Sequence, residues 1–245
     1  MDYIIYFILT LFVSAFFALG GLGSAAALVP IFDMMGMPLN LAKAIGLFIN
    51  SASTITASFM NILRRSVDIR FAMPLVISII VSTPIGAYAS QFVDEDIVRG
   101  ILVLFLGFSS FMLLFGKKEQ MFSYTKKWIL YPIGFFVGII SGLIGVGGGA
   151  LILPLLVLLG WDAKKVSYAV SFVIPFSTLG AFFTYATFVK IDYILLLVVA
   201  VAAILGGFIG NRISHFHLSS VHIKKIIGVL LLLIALRLAI KLLNF

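Results

Sequence analysis

The sequence contains no cysteine, so the protein has no disulfide framework, no thiolate nucleophile and no cysteine-ligated metal site. Charge is also scarce: 11% of the residues are charged, whereas a soluble domain carries about 25%. In their place, 62% of the residues are hydrophobic, and the mean hydropathy is +1.23. So little polar sequence cannot cover a soluble core, and this composition indicates an all-α integral membrane protein.

Acidic residues number only nine, and each falls at the end of an apolar stretch or in a loop. They are Asp2, Asp33, Asp68, Asp94, Glu95, Asp96, Glu119, Asp162 and Asp192. Carriers coupled to protons or sodium ions often keep a carboxylate at membrane depth. The sequence predicts no such carboxylate, and therefore no side-chain proton relay.

Catalytic motifs are absent too: the sequence has no His-Glu-x-x-His, no Gly-x-Ser-x-Gly and no pair of intramembrane aspartates. His215, His217 and His222 lie close together in the chain but have no carboxylate or cysteine nearby. We therefore expect no enzyme activity, no metal site and no cofactor.

Basic residues give the chain a net charge of +8, which in a soluble protein would suggest nucleic acid. Here they stand in short loops and near the ends of apolar stretches, where lipid headgroups and membrane orientation explain them. They include Lys43, Arg64, Arg65, Arg99, Lys117, Lys118, Lys126, Lys127, Arg212, Lys224 and Lys225. We expect the partners to be the lipid bilayer and a small anionic substrate, and no nucleic acid. Formation of a homo-oligomer is possible.

Apolar stretches long enough to span a bilayer, about 20 residues each, number about eight. They are residues 3–33, 40–63, 71–91, 97–116, 128–159, 165–188, 192–213 and 222–243. The first is interpreted as a membrane helix rather than a signal peptide, because Asp2 stands where a basic residue would precede a signal. We expect a multi-pass protein of a prokaryotic-type inner (plasma) membrane.

The chain repeats itself with an offset of 124 residues. Pro30 recurs as Pro154, for example, and Gly36 as Gly160. Other pairs are Gly21 with Gly145, Gly23 with Gly147, Ser53-Thr54 with Ser177-Thr178, Asp68 with Asp192, and Gly86 with Gly210. The repeat predicts two homologous four-segment halves, residues 1–118 and 128–245, joined by a polar linker at 119–127. Duplicated membrane units are typical of transporters that bind substrate between their halves.

The first segment of each half is broken by glycines, at Gly20–Ser24 and at Gly142–Gly149. Irregular backbone at membrane depth is tolerated only where it is buried in protein or lines a cavity. If each broken segment crosses the membrane, the halves are parallel; if each folds back as a re-entrant hairpin, they are inverted. The loop charges do not decide between these two topologies.

The pattern Gly-x-Gly-Gly-Gly-x-x-x-x-Pro, from Gly145 to Pro154, resembles the sulfite exporter TauE/SafE family. The Ser-Thr pairs, Val67-Asp68, Ile191-Asp192 and the Ile-Gly-Asn-Arg-Ile-Ser run at 209–214 are similar as well. The resemblance implies transport of sulfur-containing anions such as sulfite, sulfonates or sulfoacetate. The first half departs from the pattern, with Gly23-Ser24-Ala25 in place of Gly147-Gly148-Gly149, so the two breaks need not contribute equally.

Helices that begin after the breaks would present unpaired N–H groups and a positive dipole end, which bind oxyanions. The second segment of each half would add hydroxyl and amide donors. The predicted substrate-binding residues are Gly21, Gly23, Ser24, Ala25, Asn50, Ser53, Thr54, Gly145, Gly147, Gly148, Gly149, Ser171, Ser177 and Thr178. With no proton relay, the simplest expectation is export down the electrochemical gradient, by alternating access.

Several alternatives stay open. The glycines could serve close helix packing, and the hydroxyls could bond the carbonyls of their own helices. An anion channel would use the same lining, and a carrier could take another small organic anion. A membrane assembly scaffold would explain the hydrophobicity but not the duplicated breaks.

Overall fold

The computed structural model describes residues 3–19, 23–63, 66–115, 126–214 and 220–243, which form helices joined by short turns without any strand. The helices are α1 (Tyr3–Leu19), α2 (Ala25–Met34), α3 (Leu39–Leu63), α4 (Ile69–Ala89), α5 (Glu95–Phe115), α6 (Leu130–Ile144), α7 (Gly149–Leu158), α8 (Ala163–Ala186), α9 (Tyr193–Ser214) and α10 (Ser220–Leu243), with a 3-10 turn at Lys127–Ile129. The predicted all-α class is confirmed. The eight-segment, two-half arrangement stays a prediction.

Within these ranges, seven helical stretches are long and apolar enough to cross a membrane. They are Leu39–Leu63, Ile69–Ala89, Glu95–Phe115, Lys127–Ile144, Lys165–Ala186, Tyr193–Gly210 and Lys225–Leu243. Large apolar side chains cover the outer surface; Leu104 and Phe111 of α5 are 74% and 60% exposed. Such a surface fits lipid rather than water.

The shorter helix α2 lies inside the bundle. Ala25, Leu28, Val29 and Phe32 are all fully buried, and α2 packs against α3 and α10. A helix that is apolar on every side is stable only where other helices surround it. Gly23 and Ser24, which directly precede the ten residues of α2, are therefore buried inside the protein as well.

Helices α3 and α8 run antiparallel through the centre of the bundle. Ser51 Oγ donates to Thr178 Oγ1 at 2.7 Å, and Asn61 Nδ2 donates to Ser171 Oγ at 3.0 Å. As the residue number increases along α3, the number of its partner on α8 decreases, so the two helices are antiparallel.

Helices α4 and α6 run in the same direction, in contact along a line of glycines. A methyl group on Gly134 would lie 3.0 Å from Ser78 Cβ, and one on Gly138 would lie 3.0 Å from Ser82 Cβ. From the first contact to the second, the residue number rises by four on both α6 and α4, so the two helices are parallel. Only small residues allow two helix backbones to approach this closely.

Helices α1 and α9 make the same kind of parallel contact. A methyl group on Gly206 would lie 3.1 Å from Ser14 Cβ, and one on Gly210 would lie 2.9 Å from Ala18 Cβ. Close glycine packing, the alternative role considered for the glycines, therefore applies to these positions.

The matched aspartates Asp68 and Asp192 begin α4 and α9. The Asp68 carboxylate accepts a hydrogen bond from Phe71 N at 3.1 Å, and Asp192 accepts one from Ile194 N at 2.9 Å. A hydrogen bond from Lys165 lowers the pKa of Asp68, and one from the Tyr3 hydroxyl lowers the pKa of Asp192. Both residues thus act as charged N-terminal caps.

A buried ion pair anchors the end of α2. The Asp33 carboxylate is 3% exposed and accepts from Arg99 Nη2 at 3.0 Å and from Arg99 Nε at 3.2 Å. Lys241 Nζ of α10 lies 3.6 Å from the same carboxylate. The cluster joins α2, α5 and α10 at one end of the bundle.

We expect Asp33→Ala to destabilise the protein by about 3–5 kcal/mol, because it leaves Arg99 partly buried without its main partner. Asp96→Ala is the matched control, since Asp96 also binds Arg99 but is 66% exposed. Its effect should stay below about 1 kcal/mol. Thermal unfolding in detergent measures both, and equal effects of the two substitutions would contradict the prediction.

Candidate substrate-binding site

The polypeptide leaves helical geometry between α6 and α7. Residues 145–148 lie outside any helix, and Gly145 and Gly147 have φ of 73° and 82°. These left-handed conformations are costly for residues with a side chain. Glycine at both positions therefore lets the polypeptide reverse inside the bundle.

Asn50 of α3 lies between this turn and the residues that precede α2. A methyl group on Gly23 would lie 2.5 Å from both the Nδ2 and the Oδ1 of Asn50, and one on Gly147 would lie 3.0 Å from its Nδ2. Asn50 is 1% exposed, and its Oδ1 has no hydrogen-bond partner in the described part of the chain. A buried amide oxygen without a partner is costly, so this position calls for a ligand or water.

Hydroxyl groups of α3 and α8 complete the surroundings. Ser177 Oγ accepts from Gly148 N at 3.3 Å, next to the start of α7. Ser51 Oγ donates to Thr178 Oγ1 at 2.7 Å, and Thr178 Cγ2 would lie 2.8 Å from a methyl group on Gly147. The structure thus brings five predicted residues together: Gly23, Asn50, Gly147, Ser177 and Thr178.

Other predicted residues lie in the same turns but face the scaffold. Ser24 and Ala25 are buried, with Ser24 Oγ accepting from Ser14 Oγ at 3.4 Å. Gly149 is packed against Ile174, and a methyl group on Gly148 would make ordinary contacts with Ile152 and Val137 at 3.4 Å. Gly21 lies outside the described residues, as do Arg64, Arg65, His215 and His217.

Three predicted hydroxyl residues bond elsewhere. Ser53 Oγ and Thr54 Oγ1 donate to the carbonyl of Asn50, at 3.1 and 2.6 Å. Ser171 bonds Asn61 near the opposite end of α3 and donates to the Tyr168 carbonyl. In the structure, these three hydroxyl groups donate hydrogen bonds to backbone carbonyls of their own helices, which is the alternative role considered for them.

Two residues near the α6–α7 turn are not among the predicted substrate-binding residues, although Tyr185 shares a polar stripe of its segment with Ser171 and Thr178. Tyr185, fully buried, donates its hydroxyl to the carbonyls of Gly142 and Leu143 at 2.9 and 3.1 Å. Lys43, also fully buried, packs its aliphatic stem against Gly145. Its spacing of seven residues from Asn50 places both on one face of α3, and this was the signal available in the sequence.

We expect Tyr185→Phe to lower the stability of the protein by about 1–3 kcal/mol, the cost of leaving buried carbonyls without a donor. The last carbonyls of α6 have no helical partner, and the phenol supplies one. Tyr193→Phe is the control, because Tyr193 is 77% exposed. Equal melting temperatures for the wild type and Tyr185→Phe would contradict this role.

The arrangement offers hydrogen-bond donors without a carboxylate. The helices α2 and α7 both start at the turns around Asn50, and the first N–H groups of a helix have no internal partner. Their positive dipole ends therefore lie close to the Asn50 amide. Chemically, such an arrangement suits a small anion.

The model of the family described as "Sulfite exporter TauE/SafE" matches residues 6–238. The chain belongs to the sulfite exporter TauE/SafE family. The resemblance seen in the sequence is thereby confirmed.

Curated relatives of this TauE/SafE chain are named as membrane transporters. A probable membrane transporter protein of Methanocaldococcus jannaschii is 26% identical over 93% of this chain and 91% of its own length. The probable membrane transporter protein YunE of Bacillus subtilis is 24% identical over 87% of this chain and 89% of its own. No solved structure gives a significant match. With the seven apolar helices, these findings establish an integral membrane transporter, a class that is generally not enzymatic.

Proposed function

We propose that this TauE/SafE transporter exports small sulfur-containing anions, such as sulfite, sulfonates or sulfoacetate, across a prokaryotic inner membrane. The anion is held between the two broken segments, at Gly23 and at Gly145–Gly147, and reaches either side by alternating access. Export follows the electrochemical gradient, since a cell that is negative inside drives each negative charge outward by about 2.3 kcal/mol per 100 mV.

The observation that carries this proposal is the environment of Asn50. Its side chain is buried, its Oδ1 has no partner among the described residues, and it touches both turns that precede the helices α2 and α7. Neutral donors and helix dipoles suit an anion that must also be released. A residue of fixed charge at this centre would bind more tightly but release more slowly.

The directions of the helices support inverted halves. Helices α3 and α8 correspond to each other under the 124-residue offset and run antiparallel. The offset also converts the contact of Gly138 with Ser82 into that of Ser14 with Gly206, and both contacts exist. A two-fold axis that relates antiparallel membrane helices lies in the membrane plane, as in transporters with inverted repeats.

Inverted halves require an odd number of crossings in each half. The helices α1 and α2 then form one re-entrant pair, and α6 and α7 the other, entering from opposite sides. The α2 helix, with ten residues, is about 15 Å long, which is half of the hydrocarbon thickness of about 30 Å. Both turns therefore meet at membrane depth around Asn50.

Labelling of single cysteines tests this topology on a chain that has none of its own. Pro38 and Asp162 are exposed and correspond to each other under the offset. We expect Pro38→Cys and Asp162→Cys to react with an impermeant maleimide from opposite sides of the membrane. Labelling of both from the same side would establish parallel halves and overturn the inverted arrangement.

Ligand binding and flux test the transport proposal. We expect sulfite, sulfoacetate or methanesulfonate to raise the melting temperature of the purified protein, with about 2.7 kcal/mol of stabilisation at 100 times the Kd. Carboxylates of equal charge serve as controls. Saturable efflux of the same anion from proteoliposomes is expected. Unitary electrical currents would favour a channel, and no response to any sulfur anion would overturn the substrate class.

A further inference from the structure

Lys43 is a buried lysine whose hydrogen-bond partners are neutral. The side chain is fully buried, and Nζ donates to Ser90 Oγ at 2.7 Å and to Asn40 Oδ1 at 3.2 Å. Within the described ranges, no carboxylate lies within ion-pair distance of Nζ. A charge removed from water without an opposite charge is costly, so a charged Lys43 requires a negatively charged partner.

Nearby carboxylates are already engaged. Asp33 and Glu95 are both bound to Arg99, at 3.0 and 2.9 Å. The C-terminal carbonyls of α6 offer partial negative charge, yet Tyr185 already donates to those of Gly142 and Leu143. Protein groups therefore leave the charge of Lys43 largely unbalanced.

The position of Lys43 relates it to the candidate site. Its stem contacts Gly145, which belongs to the same turn as Gly147, the neighbour of Asn50. Lys43 and Asn50 lie seven residues apart on one face of α3, about 10 Å along the helix axis. The Nζ also lies 5.7 Å from the centroid of the Tyr185 ring, on α8. Lys43 thus stands beside the α6–α7 turn, towards the end of the bundle where α3 begins.

We propose that Lys43 is a cationic residue of the anion path: its ammonium binds the transported oxyanion at a second position, between the Asn50 centre and the side of the membrane on which α3 begins. The inference rests on the proposed function. An oxyanion there supplies the negative charge that the protein withholds, and charge-assisted hydrogen bonds from an ammonium are stronger than those from neutral donors. In the other half, Ser167 takes the place of Lys43, so the position exists on one side only.

A purely structural lysine makes the opposite prediction. If Lys43 served only to tie α3 to Ser90 at the end of α4, then its replacement would lower stability and leave anion affinity unchanged. If it serves the anion, then Lys43→Met removes an unbalanced charge, keeps the stem, and leaves the melting temperature of the free protein equal or higher.

The experiment compares anion binding by the full-length wild type, Lys43→Met and the control Lys190→Met, which removes an exposed lysine. Dissociation constants are measured for sulfite, sulfate and methanesulfonate by calorimetry in detergent. We expect about 10-fold to 100-fold weaker binding for Lys43→Met, the range of a hydrogen bond to a charged group, and less than threefold change for Lys190→Met. Sulfate, with two charges, should lose more affinity than methanesulfonate.

A second variant separates charge from hydrogen bonding. Lys43→Gln keeps a donor for Ser90 without the charge, and we expect it to bind as weakly as Lys43→Met. Wild-type affinity in either variant would overturn the role of Lys43 while leaving the proposed function intact. Failure of the wild type to bind any of the three anions would overturn the proposed function, and this inference with it.

Discussion

Gly147→Ala is expected to reduce anion transport at least 10-fold, whereas Gly148→Ala should stay within twofold of the wild type. The two substitutions add the same methyl group to adjacent residues of the α6–α7 turn. Gly147 has a φ of 82°, and an L-residue in that conformation costs about 1–2 kcal/mol. Gly148 has right-handed helical angles, with φ of −68° and ψ of −13°, and accepts alanine without strain.

The surroundings of the two glycines reinforce the difference. The new methyl group at position 147 would lie 2.8 Å from Thr178 Cγ2 and 3.0 Å from Asn50 Nδ2, inside the volume proposed for the anion. At position 148 it would meet Ile152 and Val137 at 3.4 Å, an ordinary contact. Flux into proteoliposomes, normalised to the amount of folded protein, measures the effect. Equal activity of the two variants would show that the turn does not line the path.

The sequence predicted a break at Gly142–Gly149, because glycine spacing is a local property. The polypeptide leaves helical geometry at residues 145–148, inside that range, whereas Gly142 still belongs to α6. The partners of polar side chains were harder to predict. Asn50 and Asn61 share one face of α3, but α3 has 25 residues and is about 37 Å long. Its two ends therefore meet different neighbours, and Asn61 binds Ser171 rather than the turn.

The relative directions of the helices and the surroundings of Lys43 could be determined only from the tertiary contacts. When the predicted spans alternate, basic residues fall on both sides of the membrane in similar numbers, so loop charges could not orient the halves. Lys43 stands only four residues inside α3, where a lysine normally extends to the headgroups. The neighbouring α4 and α8 enclose it instead, through Ser90 and Tyr185, and no local pattern encodes that enclosure.

Asn50→Asp is expected to abolish anion binding while preserving the fold. The substitution keeps the shape of the side chain but places a negative charge between the two turns. Two like charges about 4 Å apart repel by about 4 kcal/mol at an effective dielectric constant of 20, which corresponds to about 1,000-fold in affinity. Binding of sulfite and methanesulfonate should be measured at pH 8 or above, so that the new carboxyl group is ionised.

Asn61→Asp is the matched control, because Asn61 lies on the same face of the same helix, three turns from Asn50. The substitution adds the same charge about 16 Å away along α3. In the wild type, the Asn61 amide donates to Ser171. Repulsion over that distance is about four times weaker, so its affinity should fall by less than about 10-fold. If both variants weaken binding equally, the anion does not lie at Asn50, and the negative charge acts on the protein as a whole. If neither does, the two helix N-termini around Asn50 are structural, and the path of the anion runs elsewhere in the bundle.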